Sequence, residues 1–136
     1  MKLSGESNVD QKVYDVGMKM RRQVAGNTYV DKAMANVTDF NRDFQRIVTQ
    51  YAWGECWGDD TLKPRERSIL NLGMLVALGR MEEFQTHLRG ALTNGVTPNE
   101  IRAVLTQIAV YCGIPAGVDA FRHGKPIIDD YEKGKK

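Results

Sequence analysis

The stretch "TNGVTPNEIRAVLTQIAVYC", Thr93 to Cys112, decides the fold class. Asn94-Gly95 closes one helix, because both residue types accept the left-handed backbone of a helix C-terminus. Thr97 caps the next helix, Pro98 fills its first position, and Glu100 completes a T-x-x-E capping box. Ile101, Val104, Leu105, Ile108, Ala109 and Cys112 then recur at spacings that make one apolar helix face. On this reading Cys112 belongs to the core.

Working outward, "EFQTHLRGALTNG" is a second amphipathic helix, with Phe84, Leu88, Ala91 and Leu92 as its stripe. Before it, "PRERSILNLGMLVALG" starts on Pro64 and is apolar on nearly every side after its first turn, which predicts a central, buried helix. "GDDTLK" is the preceding loop. A first helix fits about Val9 to Ala25, with Val13, Met20 and Val24 inward and Gly26-Asn27 as its stop. A longer helical region follows, about Val30 to Trp57, broken near Asn41, with Val37, Phe40, Phe44, Ile47, Val48 and Tyr51 on its apolar face. After "GIPAG" a last helix starts near Ala116, and Gly124 and Pro126 oppose its continuation. No segment alternates as a strand does. The expectation is an all-α chain, one domain over residues 1–136 with roughly six to seven helices and frayed ends at 1–8 and 130–136.

The 136 residues are 42% hydrophobic and 26% charged, with a net charge of +2. So small an excess argues against nucleic-acid or membrane-surface binding, which need a basic patch or run. No apolar run approaches the roughly 20 residues of a bilayer span, and the N-terminus lacks a signal-peptide core. Cys56 and Cys112 are then expected to be reduced thiols in the cytoplasm, Cys56 as a small packing residue. They form no C-x-x-C pair, and with two histidines and no H-x-x-x-H or D-x-D cluster no metal site is expected. Phosphate loops and nucleophile elbows are also missing.

Three residues carry most of the candidate chemistry. On a wheel of about 100° per residue, Glu55 aligns with Phe44, Val48 and Tyr51. Either "WGE" lies past the helix end with Glu55 in solvent, or its carboxylate sits in a low-polarity site that favours the neutral acid. His87 falls at the edge of its stripe, about 60° from Phe84 and 40° from Ala91, while Arg89 lies about 200° away from it. His87 is thus a packed histidine or a pocket-facing one, and Arg89 a structural or interface residue. Lys63, Arg65 and Arg67 crowd a helix N-terminus with only Glu66 to offset them, a composition suited to holding a carboxylate. Arg67 shares a side with Asn71, Met74 and Leu78, so it is the one expected to point inward. His123 is expected to be exposed.

"GMKMRRQVAGNTYVDKA", "YAWGECW", "RERSILNLGMLVALGR", "HLRGALTNGVTPNEIRAVLTQIAVYCGIPA" and "AFRHGK" resemble, in order and spacing, the gamma-carboxymuconolactone decarboxylases. The resemblance runs from about Tyr14 to Lys125 and is most specific between His87 and Ala116. It implies an alkylhydroperoxidase D-like helical fold in a ring-like homo-oligomer, a hexamer or a trimer. It also implies cofactor-free removal of CO2 from 4-carboxymuconolactone, a small dicarboxylate lactone, giving 3-oxoadipate enol-lactone in the protocatechuate branch of aromatic catabolism. His87 would then be proton donor or dienolate stabiliser, Glu55 a proton relay or the group orienting His87, and Arg67 the carboxylate anchor. Tyr111 and Trp53 would line the pocket. Cys56, "PAG" and the tail "RHGKPIIDD" depart from the usual pattern of that family. The related thiol peroxidases need a C-x-x-C pair, and here Tyr111-Cys112-Gly113-Ile114 offers one thiol. A ligand-binding or scaffold homologue is the non-enzymatic alternative.

Overall fold

The computed structural model describes residues 10–135, and every regular element in them is helical. α1 (Gln11–Ala25), α2 (Asn27–Ala35) and α3 (Arg42–Ile47) are followed by a π-helix over Val48–Cys56, then α4 (Pro64–Ala77), α5 (Met81–Thr93), α6 (Pro98–Cys112) and α7 (Ile114–Gly134). The all-α expectation holds. Two compact units can be described, one within Met1–Leu62 and one within Lys63–Lys136. The expected fraying of 1–8 lies outside the described residues. In the 130–136 stretch α7 is helical to Gly134, and Lys136 also lies outside the described residues.

In the first unit, Asp10 caps α1 by accepting from the amides of Lys12 and Val13, and Gly26 ends it with φ of 93°. The chain turns directly into α2 there, so Gly26-Asn27 is a joint between helices and not the start of a loop. The π-helix lies against α1 almost backbone to backbone. A Cβ on Gly17 would stand 1.9 Å from the carbonyl oxygen of Thr49, and one on Gly54 would stand 2.5 Å from that of Val13. Only glycine allows so close an approach. The neighbouring tie is polar: buried Arg21 donates from Nη1 to Oγ1 of fully buried Thr49, 3.0 Å away. Trp53 and Trp57 stack with ring centroids 5.1 Å apart and close the small core with Val24.

The face expected to bury Phe40, Phe44, Ile47 and Tyr51 is exposed, Phe40 at 98%. Phe40 lies in the turn before α3, and Phe44 and Ile47 lie on α3, which has no buried residue; for Tyr51 and its neighbours the wheel assumed an α-helix. In the π-helix the amide of Trp57 bonds the carbonyl of Ala52 at 3.0 Å, a step of five residues and not four, so the inward residues become Thr49, Trp53, Gly54 and Trp57.

The second unit is built around α5. Phe84, Leu88 and Ala91 are fully buried and Leu92 nearly so, packed with Leu72, Val76, Ile101, Leu105, Ala120 and Ile127. Each Phe, Leu, Ile or Val among them contributes about 1.5–3 kcal/mol on leaving water. The Thr97 cap is as read from the sequence: Oγ1 accepts from the Glu100 amide, and Oε1 of Glu100 accepts from the Thr97 amide, both at 3.1 Å. Glu100 also pairs with Arg65, tying α4 to α6.

Several expectations are corrected here. α4 is not buried all round: Ser68, Leu72 and Val76 face the core while Leu70, Met74 and Leu78 stay exposed. Cys112 is exposed at the end of α6, as is Cys56 in the π-helix. α7 runs through Gly124 and Pro126 because Gly117, Ala120, Gly124 and Ile127 form a continuous buried face. Its packing outweighs the helix-breaking residues.

Candidate active site

The most site-like group in the second unit lies where α4 packs on α5. His87 sits on α5 one turn before Ala91 and is half-buried. Nδ2 of Asn71, on α4, lies 3.3 Å from its Nδ1. An amide nitrogen can only donate, so Nδ1 accepts and the ring proton belongs on Nε2. Burial pushes the imidazole below its ordinary pKa, and Glu83, one turn earlier on α5, pulls it the other way. His87 is therefore neutral at pH 7. Its neighbourhood is fixed from below, where Asn94 donates to the hydroxyl of fully buried Ser68 at 3.0 Å and anchors the end of α5 to α4.

Arg67 is half-buried one turn before Asn71 on α4, so the guanidinium and the amide share a face. Two other side chains of the expected basic corner have structural contacts. Arg65 is paired with Glu100, and Glu66 turns back to accept from the Lys63 amide at 2.9 Å. Arg67, with its guanidinium on the Asn71 side of α4, is the residue of that turn suited to a substrate carboxylate.

The other expected site residues are described element by element. Glu55 is exposed on the π-helix of the first unit, so it is neither past a helix end nor inside the stripe. Trp53 is 8% exposed and stacked on Trp57, a core residue with little surface left for a ligand. Tyr111 is 83% exposed. It lines an apolar groove of about 430 Å³ between α4 and α6, with Leu70, Gly73, Met74 and Cys112, and His87 is not in that lining. Arg89 is exposed on the far side of α5 from His87, as the wheel placed it. His123 is half-buried, not exposed, and its Nδ1 donates to the carbonyl of Asp119 at 2.8 Å. Asn71 is the residue that sequence reasoning passed over as a partner. Its signal was a carboxamide inside an otherwise apolar helical run.

Among the described residues no group of three or more His, Cys, Asp or Glu side chains gathers as a metal site would, and no helix is long and apolar enough to cross a membrane.

What these parts can do is hold an anion and offer a neutral imidazole donor beside it, a combination suited to acid substrates. Residues 42–125 match the model of the carboxymuconolactone decarboxylase family. The chain belongs to that family of enzymes. It is 35% identical to the 4-carboxymuconolactone decarboxylase of Acinetobacter baylyi, over 89% of this chain and 90% of that protein. It is 38% identical to the nitrosuccinic acid decarboxylase of Metarhizium robertsii, over 92% of this chain and 88% of that one. A shorter 4-carboxymuconolactone decarboxylase sequence from Pseudomonas putida is 43% identical over 42 residues, 31% of this chain.

Proposed function

We propose that this protein is a cofactor-free decarboxylase of small dicarboxylic acids, with 4-carboxymuconolactone the first substrate to test. The observation that carries the reading is a neutral, half-buried His87 held by Asn71 one helical turn from Arg67. Loss of CO2 leaves an electron pair that must be delocalised. In the lactone it spreads through the ring alkene onto the carbonyl oxygen, so the substrate supplies its own electron sink. The protein then needs only a cation for the carboxylate, a donor for the developing oxyanion, and a proton source for carbon.

Arg67 takes the first part and His87 the second or third. Glu55 keeps its part as a proton relay, and Tyr111 as a pocket donor completed by a second copy of the chain, in keeping with its exposure. The exposed apolar residues of the second unit support a homo-oligomer, with a hexamer the form to expect.

A second substrate is favoured by the identity to the nitrosuccinic acid decarboxylase. A carboxylate beside a nitro group also departs to leave charge on oxygen, as a nitronate. Both named substrates thus present the same problem to a site. The test is CO2 release and loss of lactone absorbance with 4-carboxymuconolactone, run in parallel with nitrosuccinate. His87→Ala and Arg67→Ala should each lower turnover by about 10²–10⁴-fold with the assembly still folded. Near-wild-type rates in both variants, or no turnover of either acid by the parent, would overturn the reading.

A further inference from the structure

We propose that Asn71 is a positioning residue that holds His87 in its Nε2–H tautomer, so that His87 donates a hydrogen bond to the charge-bearing oxygen and is not the acid that protonates carbon. The functional half of this rests on the decarboxylase reading; the tautomer does not.

The geometry comes from two different helices. Asn71 is on α4, His87 on α5, and Nδ2 approaches Nδ1 to 3.3 Å. A donor at Nδ1 leaves that nitrogen its lone pair and puts the single ring proton on Nε2. Arg67, four positions before Asn71, faces the same way along α4 and would orient the carboxylate beside the ring. Burial keeps the ring from taking a second proton. A neutral imidazole is a poor acid toward carbon but a good hydrogen-bond donor that needs no reorganisation as charge builds.

The step balances without a proton from His87. The carbon–carboxylate bond breaks heterolytically, CO2 leaves, and the electron pair passes through the conjugated system to oxygen, where Nε2–H donates. The proton that completes carbon comes from solvent water by way of another group, and the imidazole ends as it began.

The chain contains its own control. His123 donates from Nδ1 to the Asp119 carbonyl at 2.8 Å, so that ring should show the opposite tautomer, and these are the two histidines of the protein. Nitrogen-15 imidazole spectra of the full chain near pH 7, assigned with His123→Gln, should show protonated Nε2 and bare Nδ1 for His87. Asn71→Asp replaces the donor with an acceptor of the same shape. It should move the proton to Nδ1, or make the ring doubly protonated, and lower kcat by about 10²–10³-fold with KM little changed. A His87 protonated on Nδ1 in the parent protein overturns the proposal, and so does Asn71→Asp leaving both spectrum and kcat as they were. If neither acid is turned over while the spectra are as expected, it is the substrate reading that fails and the tautomer assignment stands. Should Asn71→Asp not fold, the parent spectrum alone decides between the tautomers.

Discussion

His87 has a consequence for stability as well as for chemistry. Burial lowers its pKa in the folded chain, whereas the unfolded ring titrates near 6.5. Between the unfolded value and the lower folded one, the unfolded state binds more protons, so falling pH favours unfolding. Above the unfolded value the contribution is flat. Urea unfolding should therefore show stability lost as pH drops below about 6.5, by at most ~1.4 kcal/mol per pH unit from this group. His87→Gln should remove that part of the slope. An unchanged slope would mean the ring is not desolvated as described. At this scale the sequence was informative about position and silent about partner. The wheel put His87 at the rim of its stripe because α5 is a regular helix, but Asn71 could not be found that way. Its contact crosses between helices, and periodicity carries nothing about such crossings.

Among the elements, the α6 boundary and the α5 stripe were legible because caps and stripes are local: Thr97, Pro98 and Glu100 settle their geometry within one turn. The π-helix was not legible. Its five-residue step keeps the same residue types and changes which of them face inward, so Glu55 and Tyr51 moved to the outside while Thr49 and Gly54 moved in. Gly17 and Gly54 were the available clue, since a glycine inside a helix costs about 1 kcal/mol against alanine and needs a packing reason. Gly17→Ala tests which effect wins. Propensity alone would stabilise by about 1 kcal/mol. The new Cβ, however, would meet the Thr49 carbonyl oxygen at 1.9 Å, and relieving such a clash typically costs about 1–3 kcal/mol or more. Net destabilisation in thermal or urea unfolding is expected. Pro126 is the opposite case: it is exposed inside α7 and removes an amide from the ladder. Pro126→Ala should stabilise the second unit by up to about 3 kcal/mol, and a loss of stability would show that α7 depends on the proline.

For the whole molecule, the question is why so much apolar surface stays uncovered on the second unit. Leu70 and Met74 on α4 with Leu78 at its C-cap, Val110 and Tyr111 on α6, and Ile114 and Val118 on α7 are all between 47% and 83% exposed. A sequence stripe cannot distinguish a face buried by its own chain from one buried by another copy, because both require the same residues. α4 reads as central and Cys112 as core, yet Leu70, Met74, Leu78 and Cys112 are open here, and a covering second copy is the proposal to test. Contiguous patches of this kind mark interfaces, and a stable one needs about 1,000 Å² or more. Leu78→Glu combined with Val110→Glu separates the alternatives. At 73% and 71% exposure in the single chain, these changes should cost a monomer less than about 0.5 kcal/mol each. In an oligomer they would bury unpaired charge, which costs several kcal/mol per ion. Light scattering should then give a multiple of the chain mass for the parent and a smaller species for the double variant. Turnover should fall with it if Tyr111 contributes to the site from a neighbouring copy. A parent that is already monomeric and fully active would remove both the oligomer and that role for Tyr111.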